Sequence, residues 1–183
     1  MKFIIGFLIT IGLLIFVFVL IFRGGGDEAA PTQKQLVDYA NTNVVVQMTT
    51  RGPVQADQSH KESRITVGST ETVLETFAGY QGNLMTTRSY PNNPEAYADF
   101  LRALQLNGYT NGVTDKSLAD ERGFCATGKR YVMSVKDGGR DIQRFWSTSC
   151  NGTATFKGKT TVIRSLFIAQ VPDYNTLVDG TLR

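Results

Sequence analysis

What the chain has little of narrows its chemistry first. It carries a single histidine, His60, and two cysteines, Cys125 and Cys150. Those three side chains do not make a four-ligand zinc site, so no metal ligand is assigned. The cysteines lack the C-x-x-C spacing of a thiol–disulfide redox motif. A Ser-His-Asp site would depend entirely on His60, which sits in the polar run Asp57–Glu62 and reads as an exposed strand-end residue. G-x-S-x-G, H-E-x-x-H and Walker A patterns are absent. No catalytic residue and no cofactor-binding residue is therefore named, and the balance leans away from an enzyme. Charge of one sign is not concentrated either. Nineteen basic and 16 acidic residues give a net charge of +3. So even a balance gives no footprint for nucleic acid, and no basic block faces lipid headgroups. No repeat of 20–50 residues and no long low-complexity tract suggests a solenoid or an array.

What is present is organised around one apolar run. Phe3–Phe22 reads FIIGFLITIGLLIFVFVLIF without a charge. As a helix it is about 30 Å long, the thickness of a bilayer's hydrocarbon core. It exceeds the apolar core of a cleaved signal peptide, and no clean A-x-A site follows it. Residues 1–22 are therefore expected to be a signal anchor that meets the lipid bilayer through residues 3–22. Residues 23–31, with Gly24–Gly26 and Pro31, read as a flexible linker. Residues 32–183 remain for one domain, enough chain to bury about two thirds of its unfolded surface. Lys2 favours keeping the short end in the cytoplasm, whereas Arg23 opposes it. The two cysteines suit an oxidising space, so the expected location is the cell membrane, single-pass, with the C-terminal domain outside the cytoplasm.

The domain reads as α+β, an antiparallel sheet with helices packed on one face. A short helix is expected over Thr32–Ala40, then a strand over Val44–Thr50. His60–Val67 and Thr70–Ala78 follow as strands around a Gly68-Ser69 turn of type II′. Asn83–Tyr90 makes a fourth strand. Asn93-Pro94-Glu95 starts the clearest helix, with a cap, a proline at the first turn and an acid near the positive dipole end. Tyr97, Phe100, Leu101 and Leu104 mark its apolar face, and Asn107-Gly108 ends it. Tyr109–Arg122 reads as an irregular loop suited to a binding surface. Thr160–Gln170 is the closing helix, with Val162, Ile163, Leu166 and Phe167 along one stripe. A short helix or turn from Pro172 to Val178 packs through Tyr174 and Leu177.

Between loop and closing helix, Cys125–Lys136 and Gly139–Cys150 flank Asp137-Gly138, a strong type I′ hairpin signal. A two-residue loop at Asp137-Gly138 makes paired residue numbers sum to 275, which sets Cys125 opposite Cys150. A stapling disulfide is the expectation, with Cα atoms about 4.5 Å apart at a non-hydrogen-bonded pair. The same register places Tyr131, Met133 and Val135 on one face with Ile142 and Trp146. It also places Lys129, Arg140 and Arg144 there, which requires partial burial or a shifted register, and Gly128 or Gly139 can supply the shift. Asn151-Gly152-Thr153 matches a glycosylation pattern but reads as an Asn-Gly turn.

Two resemblances bear on the setting. The apolar N-terminus, the α+β head and the C-terminal cysteine pair resemble a type IV pilin, with Gly6-Phe7 at the position of the processing site. The chain departs from that family in its apolar leader, in Ile11 where the family has glutamate, and in the helix break at Gly24–Gly26. The runs Phe124–Tyr131, Trp146–Cys150 and Gln170–Tyr174, together with the anchor plan, resemble membrane-anchored proteins of the Saccharibacteria type. That resemblance implies a bacterial setting and a single-pass surface protein, and carries no activity. The function expected is a membrane-tethered extracytoplasmic binding or scaffolding domain with a protein or cell-envelope partner. The alternatives are a cell-wall hydrolase using a carboxylate pair and a pilin-like subunit. A fold without a concave polar cleft favours the scaffold; a pocket with convergent carboxylates favours the hydrolase.

Overall fold

β-Branched and aromatic residues at alternating positions build six strands into one antiparallel sheet, as the computed structural model of the chain shows for residues 35–178. The strands are β1 (Val45–Arg51), β2 (Lys61–Val67), β3 (Glu71–Ala78), β4 (Asn83–Pro91), β5 (Arg130–Asp137) and β6 (Arg140–Thr148). Their spatial order is β4-β3-β2-β1-β5-β6. Among the described residues three α-helices accompany them: α1 (Pro94–Leu106), α2 (Thr160–Ile168) and α3 (Tyr174–Val178). The fold is thus α+β. The expected anchor over Phe3–Phe22, the linker and the first residues of the helix expected over Thr32–Ala40 lie outside the described residues. Among the described residues no helix is long and apolar enough to cross a membrane.

The period of two along each strand separates two faces. On one, Val46, Met48, Ile65, Val67, Leu74, Met133 and Val135 are nearly or fully buried. Tyr97, Phe100, Leu101 and Leu104 of α1 and Ile163 and Phe167 of α2 share the same cluster. Phe100 meets Phe167 edge to face, ring centroids 5.2 Å apart. Two tyrosines complete this layer through their hydroxyls. Tyr97 donates to the Val44 carbonyl at 2.8 Å, and Tyr109 reaches the Gln47 and Ser134 carbonyls of adjacent strands at 2.8 and 2.9 Å. Burial pushes both phenols well above their ordinary range.

The start of α1 follows the sequence closely. Asn93 is extended, and its side-chain oxygen accepts from the Ala96 amide at 2.9 Å. Asn93→Ala removes that acceptor and is expected to cost about 1 kcal/mol. Thermal unfolding should then shift down by about 2–4 °C, and an unchanged midpoint would mean that water caps the helix equally well. At the first helix of the domain the expectation shortens: Leu36–Tyr39 is one 3-10 turn.

The hairpins correct two expectations. Between β2 and β3, Val67 pairs with Thr72, so the tip is Ser69-Thr70 rather than Gly68-Ser69. Between β5 and β6, Asp137 pairs with Arg140, and the two-residue tip is Gly138-Gly139, with φ of 54° and 83°. Both tip residues of a type I′ turn need positive φ, and two glycines meet that demand more cheaply than Asp-Gly. One extra residue, Ile142, then bulges out of β6 between Asp141 and Gln143, half-exposed. Beyond the bulge paired numbers sum to 278, as for Tyr131 with Ser147. An odd displacement of register moves side chains to the opposite face. Phe145 therefore shares the helix-covered face with Tyr131 and Met133, and Trp146 lies on the other face beside Val132.

Candidate functional site: an arginine-rich cleft

The second face of the sheet carries charge where the first carries hydrocarbon. Register aligns Phe77, Glu62, Arg51 and Arg130 in one row across β3, β2, β1 and β5. The neighbouring row holds Glu75, Arg64, Thr49, Val132 and Trp146. The irregular segment after α1 folds over the β5–β6 side of this face. Three contacts hold it there: Trp146 Nε1 donates to the Leu118 carbonyl at 2.7 Å, the Phe124 and Trp146 rings lie 4.8 Å apart, and Arg144 donates to the Ala119 carbonyl at 2.9 Å.

Glu121 is the centre of this cover. It is fully buried, and its two oxygens accept from Arg51 and from Arg144. Arg51 also donates to Glu62 at 2.7 Å, and Glu62 continues to Arg64 at 3.2 Å. Arg64 lies over the Phe77 ring, 4.6 Å from its centroid. The result is a continuous ion-pair network from β3 to β6. At its outer edge Asp120 clasps Arg122, and those hydrogen bonds hold the Asp120 carboxyl well below the usual carboxylate range.

Against this network a cleft of about 620 Å³ opens. Arg51, Glu62, Phe77 and Arg130 come from the strands, and Arg144 from β6; Ala119, Asp120 and Arg122 come from the covering segment. His60 and Tyr80 also line the cleft, and their rings stack at 4.1 Å and 10°. Tyr80 is fixed by both ends: its hydroxyl donates to the Gln55 carbonyl at 2.9 Å, and its amide donates to Asp57 at 2.6 Å. Half of the Tyr80 surface still faces solvent.

Arg130 differs from the other cleft arginines. It is 2% exposed and sits directly opposite Arg51 in the ladder. Its guanidinium donates to the Gly52 carbonyl and, at 3.4 Å, to the Arg122 carbonyl. Among the described residues it has no ion-pair partner within salt-bridge distance, and its Nε has no hydrogen-bond partner. Burial, and then the charge of Arg51, lowers its pKa from the ordinary arginine value.

The sequence-derived sites fall around this cleft in different ways. Cys125 and Cys150 form a disulfide, with Cα atoms 5.7 Å apart. They meet beyond the ends of β5 and β6, across a turn at Cys125–Gly128, and not as a facing pair within the ladder. Gly128 is required there, because a Cβ would lie 2.5 Å from both Cys125 Sγ and Ser149 Oγ. The bridge anchors the cleft's neighbour: the Val54 amide donates to the Ala126 carbonyl at 2.7 Å. His60 is a correction. It is buried under Tyr80, with Nδ1 3.3 Å from the Pro53 carbonyl, because the short 3-10 turn Asp57–Ser59 folds the chain back over the end of β2. The segment 109–122 contributes to the cleft wall, while Asn151 stays exposed beyond the disulfide.

The arginines were not singled out from sequence. A readable signal exists: Arg51, Glu62, Arg64, Glu75, Arg130 and Arg144 all occupy strand positions on the same side of the pleat. Alternation of charge with apolar residues is ordinarily a solvated face, and only the cover by residues 113–124 makes it a lined cleft. The chain matches no protein-family model, and a search of the curated proteins finds no significant match.

Proposed function

We propose that the chain is a membrane-tethered, extracytoplasmic binding domain whose contact surface is the cleft on the helix-free face of the sheet. A concave polar cleft counts against a plain scaffold by the criterion set from the sequence; what carries the binding reading is that this cleft has an aromatic rim held in place by hydrogen bonds and carboxylates already tied up in ion pairs. Pre-set side chains of this kind bind without paying to order themselves. The tether is the uncharged run Phe3–Phe22. The Cys125–Cys150 disulfide supports an oxidising compartment outside the cytoplasm. The partner belongs to a bacterial cell envelope in this reading.

A second reading has a specific observation in its favour. Glu62 and Asp120 both line the cleft, as a carboxylate-pair hydrolase of wall glycans requires. Such an enzyme needs one carboxyl raised to act as the general acid. Asp120 is held in the opposite direction by Arg122, and Glu62 is already shared between two arginines. The binding reading stands ahead on that account.

The test uses the full-length chain in bacterial membranes, with a photo-crosslinking amino acid at Tyr80 or at Leu106. Leu106 is 82% exposed at the end of α1 and serves as the control. A discrete adduct from Tyr80 and none from Leu106 is the expected result. Equal labelling from both positions, or none from either, contradicts a contact surface at the cleft.

A further inference from the structure

We infer that the cleft takes an anionic saccharide, a sugar ring bearing a carboxylate or phosphate, with the charged group docked at Arg130 and the ring along Tyr80. This inference rests on the proposed binding role of the cleft.

Charge carries the first half. Each other arginine at the cleft has a carboxylate: Arg51 has Glu62 and Glu121, Arg144 has Glu121, and Arg122 has Asp120. Arg130 has none within salt-bridge distance among the described residues, and its buried Nε has no acceptor. Burial and the facing Arg51 disfavour its charge, and Glu121 and Glu62 attract it only from beyond salt-bridge distance. Two other arginine Nε groups, of Arg64 and Arg164, are also buried without an acceptor. Arg64, however, is ion-paired and lies over Phe77, and Arg164 lies over the Tyr131 ring at 4.5 Å. Arg130 has neither form of relief and lines the cleft. A planar guanidinium fits carboxylate and phosphate oxygens.

Size and shape carry the second half. A volume of about 620 Å³ is far larger than one inorganic anion needs, and it lies within the range of small-molecule sites. The Tyr80 ring is stacked on His60 on one side and half-exposed. It offers a flat apolar surface in the lining of the same cleft as the arginines. A ring that is polar at its edges and apolar on its face suits that rim.

The experiment titrates full-length protein in nanodiscs with glucose 6-phosphate, trigalacturonate, glucose and inorganic phosphate, read by calorimetry. Either of the first two should bind at least tenfold more tightly than both glucose and inorganic phosphate. A preference for glucose 6-phosphate identifies a phosphate-bearing sugar, and a preference for trigalacturonate a carboxylate-bearing one. Arg130→Met should remove that preference; because the variant also leaves the Gly52 and Arg122 carbonyls without their donor, its unfolding midpoint is measured alongside to show that it folds. Tyr80→Ala, at an exposed rim, should weaken the charged sugars by about tenfold and leave inorganic phosphate unaffected. Wild type that binds no charged sugar, or binds glucose equally well, overturns the inference. So does an Arg130→Met protein that keeps wild-type affinity. Should Arg130→Met fail to fold, the wild-type and Tyr80→Ala titrations decide alone. A discrete Tyr80 crosslink alongside absent anion binding would leave the binding role standing and sink only the ligand class.

Discussion

Trp146→Ala is expected to lower the unfolding midpoint by about 10 °C and to release the segment that walls the cleft. Trp146 is 1% exposed and faces Val132 on the second face of the sheet. Truncating a buried tryptophan costs about 3–5 kcal/mol through lost contacts and the cavity left behind. A domain of this length loses about 2–4 °C per kcal/mol. The more diagnostic effect is local. The Trp146 side chain holds the cover by a hydrogen bond to the Leu118 carbonyl and by its contact with Phe124. Without them Glu121 loses its enclosure, and the ion pairs to Arg51 and Arg144 become solvent-exposed pairs of little worth. Hydrogen exchange should therefore accelerate at residues 116–124 well before it does in α1. Uniform acceleration across the domain would show that Trp146 is ordinary core and has no special hold on the cleft.

Removing the disulfide is the second large effect. With Cys125 and Cys150 separated by 25 positions, the bridge restricts the unfolded chain by about 3–3.5 kcal/mol. Cys125→Ser with Cys150→Ser should lower the midpoint by about 10 °C, and dithiothreitol should bring wild type down to meet it. The double variant itself should ignore the reductant. The folded state offsets a small part of this, since Cys125 has a φ of 51°, a left-handed backbone that a non-glycine residue occupies at a cost. Freed of the bridge, that turn relaxes, and the hydrogen bond from Val54 to Ala126 at the rim of the cleft weakens with it. A reduced protein as stable as the oxidised one would mean that β5 and β6 hold these ends without help.

How much of this could be read in advance divides along physical lines. The helix from Pro94 was legible because its signals are local: a cap, a proline, an apolar stripe, a glycine. Its buried residues are the four that the stripe predicts. The hairpin was legible as a hairpin, and its cysteines as a bridge, because both rest on short-range chemistry. Its register was not. Asp137-Gly138 and Gly138-Gly139 both satisfy a primed turn, and the choice between them, with the bulge at Ile142, decides which face receives Trp146. His60 was misread because its burial comes from Tyr80, a residue on a different hairpin. The cleft escaped for the same reason. Its arginines are unremarkable on their own strands, and they converge only when five strands stand side by side under the 113–124 cover.

The most direct measurement is the arginine side-chain Nε–Hε spectrum of the full-length protein in nanodiscs, recorded during separate titrations with glucose 6-phosphate and with trigalacturonate, the tighter binder of the two being decisive. Arg130 and Arg164 both have a buried Nε without an acceptor, and Arg164 lies over Tyr131 on the helix-covered side, so an internal control comes with the signal of interest. The account predicts a saturable shift of the Arg130 resonance with Arg164 unmoved. An Arg130 signal that stays still at saturating ligand, or moves in step with Arg164, would contradict it.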